Sequence, residues 1–325
     1  MTSIQSIQQS IAPELVKLNE RIADTLRSSN ALMNQVVENY LRSKGKQIRP
    51  ILVILSARHF GEVNDNVIAA AAAVELLHNA SLIHDDVVDD SKTRRSVPTI
   101  NSIWDNHIAV LVGDFFVSTA LQLAITTGDP RIIDSLARLG KLLSLGEIDQ
   151  IYNARYHKLD EKAYFEIIKR KTASLFVSCV EMGAYAVGAD EGQIDDMRRY
   201  AELLGLCFQI KDDIFDYFTD DVVGKPTGND LREGKITLPL LHVLENEALP
   251  MHDEMLALSR KEELTSDEIA TLIDYAKENG GIDYAYAVMM RLRDEAVALL
   301  SSSSPSDETT AQFTDIFDYI IARDH

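Results

Sequence analysis

The sequence predicts an all-α protein, and three observations carry that prediction. Apolar residues recur mostly at three- and four-residue spacing, as in Tyr164, Ile167, Ile168, Leu175, Phe176 and Cys179. Alternating runs bounded by turn signals are hard to find. The eight prolines and fifteen glycines fall mostly between periodic segments. Breaks near Gly45 to Pro50, Gly61 to Asn64, Gly128 to Pro130, Gly188 to Glu191, Gly224 to Gly234, Pro250 and Ser301 to Pro305 divide the chain into roughly a dozen helices. None is long enough for a domain linker and no fixed period suggests a solenoid, so a single all-helical domain over residues 1–325 is expected. A hydrophobic content of 46% supports a substantial core.

Charge and cysteine content narrow the setting. A formal net charge of −19, from 51 acidic against 32 basic residues, argues against a general nucleic-acid surface. Any anionic ligand then needs a local cationic exception or a bridging metal. Cys179 and Cys207 cannot build a disulfide framework and have no zinc-like spacing to histidines, which points to a reduced, cytoplasmic setting. The opening "MTSIQSIQQSIAPELVKLNE" has neither a basic leader nor an uninterrupted apolar stretch. The apolar run from Val67 is interrupted at Glu75, short of the about 20 residues that span a bilayer, so no transmembrane segment is expected.

The helix predicted from about Val67 through Val87 leads into "LIHDDVVDD". Helical geometry places Val74, His78, Ser81, Asp85 and Asp89 on one face, with Asp86 and Asp90 offset by about 100°. An isolated acidic run at a helix C-terminus is ordinarily a solvated face, and it opposes the helix dipole. An EF-hand does not fit, because counting from Asp85 puts Val87 and Ser96 where oxygen donors and a glutamate are required. The pattern gains weight by recurring in "CFQIKDDIFDYFTDD", where Asp212 and Asp216 are four apart around Asp213. Facing carboxylates repel unless divalent cations lie between them, and hard oxygen ligands with room for water and phosphate suit magnesium. A magnesium cluster holding a diphosphate is the expectation.

Basic residues sit near the same breaks. In "SKGKQIRP", Lys46 and Arg49 precede a helix that Pro50 can start, an entrance that favours an anion. "SKTRRSVP" supplies Arg94 and Arg95 just after the first acid cluster. Lys171 lies on the stripe of Ile167, Ile168 and Leu175 and is expected to point inward beside Thr172, with snorkelling from the edge as the alternative. Gln209 precedes Asp212 by nearly a turn and reads either as a ligand-binding amide or as a packed core residue. "GKPTGNDLREGKITLP" is not a phosphate loop of the Walker type, since five residues separate Gly228 from Gly234 and Ile236 follows Lys235. It reads as a cover carrying Lys225 and Lys235, or as an ordinary solvent loop.

The ordered set "GKQIRP", "ELLHNASLIHDDVVDD", "RRSVPTIN", "AVLVGDFF", "GEIDQI", "KTASLF", "FQIKDDIFDY" and "GKPTGNDLREGKITLPLL" resembles the trans-prenyl diphosphate synthases, particularly the long-chain polyprenyl (octaprenyl-like) branch. It spans residues 45 to 241. The resemblance implies the isoprenoid synthase fold, a helical bundle around a deep central cavity, paired as a homodimer. It implies that Asp85, Asp89 and Asp212 are the principal magnesium ligands, with Asp86, Asp213 and Asp216 in support. Lys46, Arg49, His78 and Arg95 match the isopentenyl diphosphate site. Arg94, Lys171, Thr172, Gln209, Lys225 and Lys235 match positions that hold or close over an allylic diphosphate such as farnesyl diphosphate. Three departures stand out: Gln47 replaces an arginine, Ser96 a glycine, and Asp105 a common glycine. None touches an implied metal ligand.

The chemistry implied is magnesium-assisted departure of the allylic diphosphate, attack by the double bond of isopentenyl diphosphate, and loss of a proton, in a site that excludes water. Ala80 and Ser81, about one turn before Asp85, are small where short-chain relatives carry an aromatic, and Leu77, Val74 and Ala73 leave further room. A long-chain product of about eight isoprene units is expected, since burial favours a filled tunnel, with Phe115 or Phe116 as candidate floor residues. The alternatives are a geranylgeranyl- or farnesyl-length product, a class I terpene cyclase, which would not need "DDIFD", Lys46, Arg49 and His78, and a non-catalytic synthase subunit, which would tend to lose metal ligands.

Overall fold

The computed structural model describes residues 3–42, 46–94, 97–156, 159–218, 227–302 and 307–323. Among these it contains the helices α1 (Ser3–Ser10), α2 (Ala12–Thr25), α3 (Ala31–Arg42), α4 (Ile48–Phe60), α5 (Asp65–Val88), α6 (Ile100–Ile103), α7 (Asn106–Thr126), α8 (Pro130–Arg155) and α9 (Glu161–Ile168). A π-helical turn, Lys169–Ala173, leads into α10 (Ser174–Ala186), followed by α11 (Asp195–Phe215), α12 (Asn229–Arg232), α13 (Leu238–Leu244), α14 (His252–Ser259), α15 (Ser266–Glu278), α16 (Gly281–Ser302) and α17 (Asp307–Ala322). The strands among the described residues are one short antiparallel ribbon, β1 (Thr93–Arg94) against β2 (Val97–Pro98). The all-α expectation holds, with more and shorter helices than the periodicity alone resolved.

The chain forms two compact units. The first comprises Met1–Lys141, Leu175–Ala201 and Leu300–Ile316. Its centre is α5, packed on α2, α4 and α7. Asn64 caps α5 by accepting hydrogen bonds from the N–H groups of Asn66 and Val67, and Val67 through Val74 are then buried in succession. A run of five alanines, Ala69–Ala73, explains how α5 can be covered on all sides: without long side chains, neighbouring helices approach its backbone closely. Gly113 serves the same end on α7, where a Cβ would lie 2.2 Å from His84 Nε2. On α10, a Cβ at Gly183 would lie 2.2 Å from the Val53 carbonyl oxygen of α4.

Local hydrogen bonding accounts for two of the sequence departures. Asp105 is extended and accepts a hydrogen bond from the Ile108 N–H at 2.8 Å, so it caps α7, a role worth about 1 kcal/mol. Gln47 adopts the left-handed region, φ 53°, immediately before α4, and its amide donates to Asn19 Oδ1 at 3.2 Å. Pro50 does not open α4, which begins at Ile48. It sits within the first turn, where a missing N–H breaks no intrahelical bond.

Both α5 and α7 are long and apolar enough to cross a bilayer, whereas the sequence reading anticipated no such segment. The charge of Glu75 interrupts the run but is outweighed by its apolar neighbours. Most of the apolar stretch of α5 is buried in protein, while α7 leaves Val110, Leu111, Leu121 and Ile125 exposed.

The second unit comprises Leu142–Ser174, Glu202–Leu299 and Phe317–His325. Its apolar core gathers Leu240, Val243 and Leu244 of α13, Met255 of α14, and Ile269, Leu272 and Ile273 of α15. Gly146 on α8 lets the π-helical turn close in, since a Cβ there would lie 2.7 Å from the Lys171 backbone nitrogen.

Gly183→Ala is expected to lower stability by about 1–3 kcal/mol, because the added methyl meets a backbone carbonyl that cannot swing aside. Urea denaturation of the two proteins checks this, and equal midpoints would show that α4 and α10 part freely.

Candidate active site

The first acidic motif, in the first unit, sorts its carboxylates by position. Asp85 is half-buried and Asp89, the C-cap of α5, is exposed; the Asp89 N–H donates to the Asp85 carbonyl at 2.8 Å, which stacks the two one turn apart. Asp86 turns the other way and is only 7% exposed. Burial raises its pKa, opposed by Arg94, whose Nε and Nη2 donate to Asp86 Oδ1 at 2.9 and 2.8 Å. Asn101 secures the same corner by donating to the Asp86 and Ser91 carbonyls, each at 3.1 Å. Arg94, expected at an allylic diphosphate, reaches from β1 to this buried aspartate of α5, which, withdrawn from water, requires a strong donor.

The other expected residues of this unit differ in exposure. Lys46 is exposed and Arg49 half-buried in the first turn of α4. His78 is half-buried, and its carbonyl accepts the Ser81 hydroxyl at 2.8 Å. Of the small residues preceding Asp85, Ser81 keeps accessible surface, whereas Ala80, Val74 and Ala73 are wholly covered and Leu77 is nearly so. Phe116 is fully buried edge-on to Tyr40, and Phe115 is half-buried. Arg95 and Ser96 lie outside the described residues.

In the second unit, several expected residues converge. Lys171, Thr172, Gln209, Asp213 and Lys235 line one cavity of about 170 Å³, with Ile167, Ile168, Ile236 and Leu241 as its apolar wall. The π-helical turn inserts one residue into α-helical register and so aims both Lys171 and Thr172 at this space. Lys171 pairs with Glu147 and donates to Gln150 Oε1 at 2.5 Å. Thr172 donates to Gln209 Oε1 at 2.6 Å, and Gln209 Nε2 donates to Asp213 Oδ1 at 2.8 Å. The other Asp213 oxygen accepts the Tyr164 hydroxyl at 2.6 Å. Lys235 pairs with Glu233 at 2.5 Å, and its N–H donates to the Asp230 carbonyl at 2.7 Å.

The three acids of the second motif have different partners. Asp213 is buried, and burial first, then Asp212 and Asp216, push its pKa up to about 7 against the hydrogen bonds from Tyr164 and Gln209. Asp216 accepts the N–H groups of Asn229 and Asp230, each at 3.0 Å, and so fixes the start of α12. Asp212 pairs with Arg323 at 2.5 Å; that guanidinium also donates to the Phe208 carbonyl at 2.9 Å and stacks over the Phe208 ring at 4.1 Å. Lys225 lies outside the described residues.

Glu147, Gln150, Tyr164, Asp230 and Arg323 were not anticipated. Glu147 and Gln150 are one turn apart in "GEIDQI", a spacing that could have marked a shared partner. Tyr164 shares the apolar stripe leading to Lys171 and reads as packing. Arg323 is 111 residues from Asp212, so no local pattern connects them.

The helical chain, with its two acid-ended helices and a polar cavity lined by Lys171, Lys235, Thr172 and Gln209 among others, has the all-α isoprenoid synthase fold of solved prenyl diphosphate synthases. The sequence model of the Polyprenyl synthetase family matches residues 30–276, and the chain belongs to that family. It is 35% identical over 300 residues to an octaprenyl diphosphate synthase of Haemophilus influenzae, covering 91% of this chain and 89% of that one. A decaprenyl diphosphate synthase structure from Rhodobacter capsulatus superposes with a TM-score of 0.92 at 30% identity, covering 99% of both chains. A geranylgeranyl pyrophosphate synthase structure from Bacteroides thetaiotaomicron gives a TM-score of 0.84 at 37% identity, again over 99% of both.

The raised Asp213 pKa fixes a pH dependence. A carboxyl whose pKa rises from 3.8 to about 7 on folding favours the folded chain below its unfolded value and loses that contribution as pH climbs toward 7. In chelator, wild-type stability is therefore expected to fall relative to Asp213→Asn between about pH 4 and pH 7. Denaturation midpoints across that range check it; parallel curves would place the Asp213 pKa near its unfolded value.

Proposed function

We propose that the protein condenses isopentenyl diphosphate successively onto an allylic diphosphate, with farnesyl diphosphate as primer and magnesium as cofactor. The product of this reading is a long-chain all-trans polyprenyl diphosphate of about eight isoprene units, extended along an apolar path. The observation that carries the reaction is the cavity in which Lys171, Thr172, Gln209 and Lys235 surround a polar space walled by isoleucine and leucine. Such a wall shelters an allylic cation from water, while lysines anchor the departing anion.

Magnesium fits the donors present. Asp85 and Asp89 stand one turn apart on the accessible side of a helix end, and Asp212 retains accessible surface. Among the described residues no three His, Cys, Asp or Glu side chains converge into a ready-made metal group. When bound, magnesium neutralises the diphosphate as it departs. Lys171, held by Glu147 and Gln150, orients the allylic diphosphate, and Lys235 faces the same cavity. Lys46, Arg49 and His78 are the proposed holders of the isopentenyl diphosphate, with Asp86, Asp213 and Asp216 supporting the metal-binding acids.

Long chain length is supported by Ser81, the small residue that keeps accessible surface one turn before Asp85. The likeness to a geranylgeranyl pyrophosphate synthase favours a shorter product as the second reading. Homodimerisation is supported by the apolar side chains Val110, Leu111, Leu121 and Ile125 that α7 leaves exposed. A cytoplasmic setting is supported by two free, buried cysteines, Cys179 and Cys207.

Purified protein given magnesium, farnesyl diphosphate and labelled isopentenyl diphosphate is expected to yield a ladder ending in a long polyprenyl diphosphate. Chelation should abolish it, and Asp85→Ala or Asp212→Ala should slow turnover by about 10²–10³-fold, as for loss of a group that stabilises developing charge. A cyclic hydrocarbon, or no consumption of isopentenyl diphosphate, would overturn the reading.

Ser81→Phe should shift the ladder to shorter products. An unchanged end point would mean that the growing chain does not pass this face of α5.

A further inference from the structure

We infer that Tyr164 is a positioning residue for this reaction: through Asp213 and Gln209, its buried phenol fixes which way the Thr172 hydroxyl faces in the cavity. The inference rests on the functional reading above and concerns how this cavity is kept in order. Four side chains on the cavity wall form one directional series. The Tyr164 hydroxyl donates to Asp213 Oδ2 at 2.6 Å, and Gln209 Nε2 donates to Asp213 Oδ1 at 2.8 Å. The Thr172 hydroxyl donates to Gln209 Oε1 at 2.6 Å. Tyr164 and Asp213 are 8% and 4% exposed, so neither can readily exchange its partner for bulk water.

The direction follows from donor and acceptor chemistry. In its ionised form Asp213 accepts and cannot donate, so, held by Tyr164, it takes the N–H of the Gln209 amide and not its carbonyl. The Gln209 carbonyl oxygen then faces Thr172, and the Thr172 proton is committed to it. What Thr172 offers the cavity is therefore a pair of acceptor lone pairs beside Lys171, at a place where positive charge develops on carbon. Without the phenol, the Asp213 carboxylate loses the contact that fixes its rotation, and the amide and hydroxyl behind it lose theirs in turn. Tyr164 thus acts through other groups, and its sequence position on an apolar stripe conceals the role.

The test uses the full chain with magnesium, farnesyl diphosphate and isopentenyl diphosphate. It compares wild type, Tyr164→Phe, Thr172→Val and the double variant. Tyr164→Phe is expected to lower kcat about 10- to 100-fold with both KM values nearly unchanged, as for a misplaced rather than missing binding group. In the Thr172→Val background the same change should have almost no further effect, since the group it positions is gone. Should Tyr164→Phe fail to fold, Asp213→Asn is used in its place, because an asparagine can turn its own N–H toward Gln209 and reverse the series. An unchanged kcat for the single variant, or losses that multiply in the double variant, would overturn the role assigned to Tyr164. A wild-type protein that consumes no isopentenyl diphosphate would instead overturn the functional reading beneath it.

Discussion

A carboxylate at the end of an apolar helix must find a donor, a cation or water, and the way each acid meets that demand organises both halves of this protein. Asp86 and Asp213 are withdrawn from solvent and take their donors from the chain, Arg94 for the first, Tyr164 and Gln209 for the second. Asp216 takes two backbone N–H groups and becomes the anchor of α12. Asp85 and Asp89 keep accessible surface, as does Asp212 even though Arg323 pairs with it. The two motifs therefore use the same letters for different work: one subset holds the helix end in shape while the other stays accessible.

This division extends to the cationic residues. A lysine's long side chain is directed only where partners hold its ammonium, and Lys171 is held by Glu147 and Gln150 from the adjacent helix. That arrangement depends on Gly146, which admits the Lys171 backbone, and on the π-helical turn, which rotates Lys171 and Thr172 together. A backbone irregularity of one residue and one absent side chain thus set the reach of the cavity's main cation.

The helices and both acid clusters were legible because their signals are local: period, caps and a four-residue spacing are all visible within a dozen residues. The helix α5 was read almost to its ends, Val67 through Val87 against Asp65–Val88. Arg323 could not be read, since its partner Asp212 is brought to it only by tertiary folding. Tyr164 was visible but ambiguous, because an aromatic at a core position hides a hydroxyl whose partner lies 49 residues away. The pairing of Arg94 with Asp86 was out of reach for a related reason. A sequence shows that an arginine is near an acidic run, but not which carboxylate will be buried and claim it.

The departures from the family pattern bear on how such a site tolerates change. Asp105 replaces conformational freedom with a side-chain cap on α7, and Gln47 exchanges a cation for a hydrogen bond to Asn19 at a left-handed position. Both substitutions therefore act on the geometry of a helix entrance. Neither removes a donor from the cavity that holds Lys171, Thr172 and Gln209. Changes at helix entrances can be absorbed by local hydrogen bonding because water and backbone groups are at hand there. Changes at Asp213 or Tyr164 are harder to absorb, for each is buried and bulk water cannot readily replace a lost partner. The asymmetry follows from solvation alone, and it places the protein's tolerance for variation at its helix ends and its intolerance in the wall of the cavity.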